Sequence, residues 1–284
     1  DIFELIGLMK DRGIDVHAIT NGLLLDEGMI AELARLEVKV LFSIDGADKR
    51  TYERTKSGSC WDTMLKNARL VNRAGILHGV SSVFSRANKD QLTKLVRLTE
   101  SLGAKTLVII GVEPFHPWEE FDKIAPTPED YRAAIEEVAS LMRTSKVQIF
   151  FDEPFWGALV KENNWGSGWP SGKSGIVVTE EQGCIFGEYL YIQTNGDVRP
   201  CMFSPKSLTF GNVRSKPLTE IWREMQDSTL LKDIRKAALR KGPCASCKYF
   251  DECRGCASRI FAYGGDYFLS DPACPIGQAA AKTV

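Results

Sequence analysis

The chain has 284 residues, of which 44% are hydrophobic, and its formal net charge at pH 7 is −1. This length and apolar content suffice for one large domain or two smaller ones with a buried core. A charge near zero creates no general attraction for nucleic acid or an anionic membrane, and no run approaches the ~20 apolar residues that cross a bilayer. We therefore expect a cytoplasmic protein whose partners include neither nucleic acid nor a membrane.

The first half of the chain predicts helices that alternate with short, β-branched strands. Helices are predicted over 2–12, 26–36, 61–74, 89–102 and 128–142, and strands over 14–19, 38–44, 79–84, 106–110 and 147–151. This alternation indicates a parallel sheet or a partial β/α barrel.

Polar residues follow the predicted strands. Asn21, Ser43, Asp45, Ser85 and Glu113 stand at or just after strand ends. In parallel α/β folds the chemistry lies beyond the carboxyl ends of the strands, so these side chains are candidates for a binding site. Asn-Gly and Asp-Gly pairs also serve as plain turns, which is the alternative interpretation.

Seven of the eight cysteines lie in the last hundred or so residues. They are Cys184, Cys201, Cys244, Cys247, Cys253, Cys256 and Cys274. Thiols this dense indicate a disulfide framework, zinc ligands or iron-sulfur ligands. Cys60 stands apart, and we expect it to be a small apolar core residue.

The composition changes after the fifth predicted strand. Residues 156–175 are rich in Trp, Gly, Ser and Asn, which predicts a loop. Farther on, Thr194-Asn195-Gly196 separates two short strands and is typical of a hairpin. The hairpin places Cys184 just before its first strand and Cys201 just after its second, so the two sulfurs are expected to lie near each other.

These motifs carry a resemblance to a known family. The cysteine pattern, the Asn195-Gly196-Asp197 hairpin, Gly211-Asn212-Val213 and Ile221-Trp222 resemble the SPASM domain of radical S-adenosylmethionine (SAM) enzymes. The strand-end segments 20–22 and 43–46 are similar to motifs of the radical SAM barrel. The resemblance implies an α/β fold with a partial (β/α)6 radical SAM barrel over 1–155, a linker over 156–180, and a small cysteine-rich α+β SPASM domain over 181–284.

The same resemblance implies cofactors that the chain would share with this family. The family's three-cysteine motif, which binds the SAM-cleaving cluster, has no counterpart here, and we expect it, with the first two barrel strands, upstream of Asp1. Two auxiliary [4Fe-4S] clusters are implied in the cysteine-rich region. S-adenosyl-L-methionine is implied to lie across the top of the barrel. The residues that contact S-adenosyl-L-methionine would include Asn21, Ser43, Asp45 and Glu113.

One auxiliary cluster would use four thiolates, those of Cys244, Cys247, Cys253 and Cys274. The other would use Cys184, Cys201 and Cys256 and lacks a fourth cysteine, so an open iron, a carboxylate ligand or fewer irons remain as alternatives. The polar residues just upstream that could approach it are Ser174, Thr179, Glu180 and Glu181. The gap between Cys253 and Cys256 is two residues, where three are commoner.

The implied function is the modification of a peptide, a protein or a peptide-derived cofactor through a 5′-deoxyadenosyl radical, with the auxiliary clusters relaying electrons. Without the upstream cluster this segment is expected to be inactive. A flavodoxin or ferredoxin is the expected electron donor. The segment 52–58, with Arg54 and Lys56, resembles the family's substrate-side loop. The alternative is a non-catalytic module in which the cysteines hold zinc and build a peptide-binding surface.

Overall fold

The computed structural model describes residues 1–56, 58, 60–114, 118–163, 165 and 183–276. It contains two compact units. The first consists of Asp1–Gly111 and Glu136–Asp152, and the second of Val112–Ile135 and the described residues from Glu153 onward.

A five-stranded parallel sheet forms the centre of the first unit, with its strands in chain order. The strands are β1 (His17–Thr20), β2 (Lys39–Ser43), β3 (Leu77–Phe84), β4 (Thr106–Gly111) and β5 (Gln148–Asp152). The helices between them are α1 (Ile2–Lys10), α2 (Glu27–Arg35), α3 (Lys49–Thr55), α4 (Trp61–Arg73) and α5 (Leu92–Ser101). The alternation of strand and helix confirms the predicted α/β class.

The helices are fixed by apolar spacing and by capping side chains. Met64, Ala68 and Val71 repeat every three or four residues on α4 and are fully buried, as expected for a helix that packs on a core. Asp26 begins α2 by accepting a hydrogen bond from the backbone N–H of Met29 at 2.8 Å. The predicted boundaries of these elements agree with the structure to within a few residues.

Three of the helices before the cysteine-rich region were not predicted. They are α3, α6 (Trp118–Ile124) and α8 (Trp156–Glu162). Helix α3 is too short and polar to show a periodic pattern, and it depends on its cap, where Asp48 accepts from the Thr51 N–H at 2.9 Å. The loop prediction was wrong for Trp156–Glu162, which forms a helix. The first five residues of this helix are buried and include a glycine. The rest of the predicted loop, apart from Asn163 and Trp165, lies outside the described residues.

The second unit contains a three-stranded antiparallel sheet and several short helices. Its strands are β6 (Tyr191–Ile192), β7 (Asp197–Arg199) and β8 (Gly211–Asn212). Its other helices are α9 (Leu218–Asp227), α10 (Thr229–Asp233), α11 (Phe250–Cys253) and α12 (Ala257–Gly264), and α7 (Pro128–Met142) begins in this unit and ends in the first. A small core that includes Phe186, Cys201, Met225 and Tyr267 holds the hairpin and these helices together. No helix in the described part of the chain is long and apolar enough to cross a membrane.

Candidate functional site

Asn21 lies in the turn that follows β1. Its Oδ1 accepts a hydrogen bond from the backbone N–H of Leu23 at 3.1 Å. Gly22 has a φ of 72°, and a Cβ there would lie 2.0 Å from the ring of Phe42. The Asn-Gly pair therefore closes a tight turn, and the Asn21 side chain contributes to it.

Ser43 and Asp45 meet at the carboxyl end of β2 through one lysine. The Nζ of Lys56 lies 2.8 Å from Ser43 Oγ and 2.9 Å from Asp45 Oδ2. The other oxygen of Asp45 accepts from the backbone N–H of Val83 at 2.8 Å, which fixes the carboxylate between β2 and β3. The structure thus joins two predicted cofactor-binding residues and the lysine of the segment 52–58 in one polar set.

In the second unit, the hairpin brings two cysteines to the same small core. Gly196, with a φ of 94°, makes the turn between β6 and β7. Cys201 is buried just after β7, and Cys184 packs against the same apolar cluster. The predicted hairpin is confirmed, and it places these two sulfurs near each other.

A tight turn directs the next two cysteines apart. Cys253 ends α11, Arg254 and Gly255 both have positive φ, and Cys256 begins α12. The backbone N–H of Cys184 donates to the carbonyl of Cys253 at 2.9 Å, which holds the segment before the hairpin against this turn.

The thiols next to Cys253 belong to the end of the chain and to the turn before α11. Burial raises the pKa of Cys253 well above its ordinary value, and the neighbouring Cys274 and Cys244 act in the same direction. Cys244 lies in the short turn Gly242–Ser246, and Cys247 caps the end of that turn, where its N–H donates to the carbonyl of Cys244 at 3.5 Å. We call Cys244, Cys247, Cys253 and Cys274 the tail thiol set.

Cys256 faces a different group of side chains. Burial raises the pKa of Cys256 well above its ordinary value, and Glu113 and Cys184 act in the same direction. Burial also raises the pKa of Cys184 to about 11, with a further contribution from Cys201. We call Cys184, Cys201 and Cys256 the hairpin thiol set.

A carboxylate lies directly against the hairpin thiol set. Glu113 Oε2 is 3.2 Å from Cys256 Sγ, and Glu113 Oε1 is 3.2 Å from Arg259 Nη1. Arg259 is fully buried and also binds Asp271, at 2.8 and 2.9 Å, and Glu153, at 2.9 and 3.3 Å. One guanidinium therefore forms ion pairs with three carboxylates.

The three carboxylates that share Arg259 differ in basicity. Burial raises the pKa of Glu113 to about 8, since Arg259 offsets only part of the desolvation. At Asp271 burial acts in the same direction, but Arg259 and the N–H groups of Cys256 and Ala273 outweigh it and lower the pKa. Glu113 therefore takes up a proton more readily than Asp271 does.

The sequence did not identify Arg259, Glu153 or Asp271 as site residues. Arg259 could have been noticed as a charged residue in an otherwise apolar helical segment, three residues after Cys256. Cys60 was predicted to be buried and is exposed, because it begins α4 at the N-cap. Ser174, Thr179, Glu180 and Glu181, the candidate fourth ligands, lie outside the described residues.

Zinc and iron-sulfur clusters need different arrangements of their thiolate ligands. Among the described residues, no three His, Cys, Asp or Glu side chains converge closely enough to hold one metal ion. A structural zinc needs four ligands on one atom, whereas a [4Fe-4S] cluster places each thiolate on a different iron. Backbone amides also face the sulfurs, with the Gly255 N–H 3.4 Å from Cys253 Sγ and the Phe203 N–H 3.5 Å from Cys201 Sγ. Such donors stabilise thiolates.

Comparison with known proteins gives two family matches and several similar proteins. Residues 1–99 match the Radical SAM superfamily, and residues 184–257 match SPASM, an iron-sulfur cluster-binding domain. The chain is 26% identical to the AdoMet-dependent heme synthase of Methanosarcina barkeri, over 96% of this chain and 78% of that protein. It is 25% identical to a PqqA peptide cyclase of Granulibacter bethesdensis, over 98% of this chain and 71% of that protein.

A solved structure gives the same result for the fold. The crystal structure of Streptococcus suis SuiB bound to S-adenosylmethionine superposes with a TM-score of 0.72 at 18% identity. The match covers 96% of this chain, which spans 63% of the length of SuiB. The predicted radical SAM and SPASM architecture is confirmed, and an iron-sulfur domain favours iron over zinc. Residues 1–99 thus match the radical SAM superfamily, and residues 184–257 match a SPASM domain.

Proposed function

We propose that this chain is part of a radical SAM/SPASM oxidoreductase or maturase that modifies a peptide, a protein or a peptide-derived cofactor through a 5′-deoxyadenosyl radical. The observation that carries the proposal is the presence of two thiol sets in one SPASM domain, separated by the Cys253–Cys256 turn. The similarity to a PqqA peptide cyclase supports a peptide substrate. A flavodoxin or ferredoxin as electron donor and a cytoplasmic location complete the proposal.

In this proposal, one unit would bind the auxiliary clusters and the other would bind S-adenosyl-L-methionine. The hairpin and tail thiol sets would each hold an auxiliary [4Fe-4S] cluster, which supplies a redox centre for electrons taken from the substrate. Ser43 and Asp45, oriented by Lys56, would bind polar groups of S-adenosyl-L-methionine, and Asn21 would shape the neighbouring turn. The proposed domain boundaries remain 1–155, 156–180 and 181–284.

The test is the metal content of anaerobically purified protein. Two four-iron clusters predict about eight iron and eight sulfide ions per chain, and a broad visible band that dithionite bleaches. A Cys253→Ser variant should lose about half of the iron, while Cys60→Ser, which removes an exposed thiol outside both sets, should keep all of it. Colourless protein with stoichiometric zinc would refute the proposal.

A second candidate is a reaction on a heme-type tetrapyrrole. The similarity to the heme synthase of M. barkeri covers 96% of the chain and favours it. Titration with hemin separates the two candidates. Stoichiometric binding, seen as a shifted Soret band, supports the tetrapyrrole reaction, and its absence leaves the peptide reaction as the better proposal.

A further inference from the structure

Helix α8 has a charged last turn on an otherwise buried segment. It occupies part of the stretch that the sequence predicted as a linker, and its first five residues are buried. The last two residues, Lys161 and Glu162, each form an ion pair with a different element of the second unit. Both pairs lead to residues that stand next to a cysteine of the tail thiol set.

The ion pair of Glu162 leads to Cys274. Glu162 Oε2 lies 3.2 Å from Nη1 of Arg132, which belongs to α7. The same guanidinium donates from Nη2 and Nε to the carbonyl of Pro275, at 2.7 and 3.3 Å. Pro275 directly follows Cys274 in the sequence. One arginine therefore connects the last turn of α8 to the backbone beside a tail thiol.

The ion pair of Lys161 leads to Cys253. The ammonium group of Lys161 binds Glu252, which lies on α11 immediately before Cys253. Helix α8 also packs against α11. Consecutive residues of one helix are thus connected to the neighbours of two cysteines from different segments of the chain. We call these two connections the α8 brace: Lys161–Glu252 and Glu162–Arg132–Pro275.

Cys274 depends on such a connection because its segment has no regular structure. Residues 270–276 form neither helix nor strand. On the upstream side, the N–H of Cys274 donates to the carbonyl of Asp271 at 3.1 Å, and the Asp271 carboxylate is held by Arg259. On the downstream side, Pro275 has no N–H to donate, and its carbonyl binds Arg132. Cys274 is therefore held between two residues that are each fixed by an arginine.

Ligands that are already in place bind a cluster more tightly than ligands that must first be ordered. Fixing a backbone segment costs conformational entropy, and a contact made before binding removes that cost from the binding step. Partners of ligand residues typically change metal affinity by about 10- to 100-fold. Because the brace connects the neighbours of two thiols to one buried helix, it restricts the separation between Cys253 and Cys274.

We infer that the α8 brace positions Cys253 and Cys274 so that the tail thiol set can bind an iron-sulfur cluster. Arg132 and Lys161 are positioning residues, because each holds the residue beside a cysteine and is not itself a ligand. The inference rests on the proposed function, since it requires a cluster at the tail thiol set. It gives a role to a helix in the region that the sequence predicted as a linker.

The experiment follows the release of iron from anaerobically purified protein to the ferrous chelator bathophenanthroline disulfonate. Arg132→Met removes the connection to Pro275 and should release about half of the iron about 10- to 100-fold faster than native protein. The other half, held by the hairpin thiol set, should leave at the native rate. Arg143→Met is the matched control and should behave as native, since Arg143 is exposed and lies just past the end of α7.

A second pair of variants tests the other connection. Glu252→Gln breaks the ion pair with Lys161 and should accelerate release of the same half of the iron by about 2- to 5-fold, the scale of a partly exposed pair. Asp251→Asn, at the exposed preceding position, should leave the rate unchanged.

A third background separates positioning from a general loss of stability. In Cys253→Ser, which should keep only the cluster of the hairpin thiol set, adding Arg132→Met should have no effect on iron release. Faster release in that background would show that Arg132 stabilises the whole unit, and it would overturn the positioning role.

Hydrogen exchange on native protein makes the test independent of whether the variants fold. The brace should order the Cys274 segment before iron binds, so the amides of residues 271–274 should be protected in metal-free protein. Exchange there as fast as in an unstructured peptide would overturn the inference. So would native rates of iron release in Arg132→Met, and both results leave the proposed function intact. Absence of iron and sulfide from native protein would instead refute the proposed function, and the inference with it.

Discussion

Arg259 Nη2 donates to Glu153 Oε2 at 2.9 Å, and neither side chain has any exposed surface. Removing one partner of a buried ion pair is costly because the remaining charge has neither water nor a counter-ion. Arg259→Met would leave Glu153, Asp271 and Glu113 without their common cation. We expect the free energy of unfolding to fall by about 3–5 kcal/mol, measured by urea denaturation of the metal-free protein.

The matched control is Arg223→Met, since Arg223 is an exposed arginine on α9. Its effect should stay within about 0.5 kcal/mol. Equal effects of the two substitutions would contradict the role given to Arg259.

Arg240 is a second structural arginine, and it holds the backbone around the thiol sets. Its guanidinium donates to the carbonyls of Ile234, Arg254, Tyr267 and Leu269 at 2.6, 2.9, 2.7 and 3.4 Å. Arg240→Met leaves these acceptors unsatisfied, so we expect a loss of at least about 3 kcal/mol in the free energy of unfolding.

The Arg240 prediction can be checked locally by hydrogen exchange. Amides of α12 should exchange faster in Arg240→Met than in native protein. Unchanged protection of α12 together with unchanged denaturation would show that the four carbonyl contacts contribute nothing.

Gly196 should tolerate no side chain. Its φ is 94°, and a Cβ would lie 2.7 Å from Asn212 Oδ1, which belongs to the adjacent strand β8. Gly196→Ala should therefore lower the melting temperature by the equivalent of about 1–3 kcal/mol. Gly7→Ala gives the opposite expectation, because the site lies inside α1 with open space around the Cβ, and alanine stabilises helices by about 0.5–1 kcal/mol. Both variants destabilising equally would contradict the prediction.

His78 should make the stability of the protein depend on pH. Burial lowers its pKa, as do the charges of His17, Lys39 and Lys105, while Asp15 opposes them. The folded state therefore binds the His78 proton less readily than the unfolded state, in which the pKa is about 6.5. Its contribution to stability is fully present above pH ~6.5 and is lost as the pH falls through the lower pKa of the folded state.

Urea denaturation of native protein and of His78→Gln at a series of pH values tests this. The slope of stability against pH below about 6.5 should be shallower in the variant. Parallel slopes would show that other groups control the acid response.

Much of the fold was accessible from the sequence because its signals are local. Apolar residues at helical spacing predicted α1, α2, α4, α5 and α7, and short β-branched runs predicted all five parallel strands. Asn195-Gly196 predicted the hairpin. Helix α8 escaped prediction because it begins with Trp156 and Gly157 and leads into a Gly- and Trp-rich stretch, which together resemble loop composition. Its buried position overrides the low helix propensity of glycine.

The candidate site was accessible only in part. Cysteine spacing indicated thiol sets, because ligand residue types are rare and recognisable. The association of Glu113 with Arg259 joins residues 146 positions apart, and no local pattern predicts such a pairing. Lys56 was noted as a basic residue on a loop, but its contacts with Ser43 and Asp45 depend on how α3 returns to the end of β2.

The turn at Arg254 and Gly255 has a consequence for the rates of any redox reaction in this domain. It joins a member of the tail thiol set to a member of the hairpin thiol set with only two residues between them, both at positive φ. Such a turn can neither stretch nor rotate freely, and it provides a continuous covalent path from one sulfur to the other. Because electron tunnelling falls steeply with distance, this short turn would fix the separation that an electron crosses between the two clusters proposed at the thiol sets.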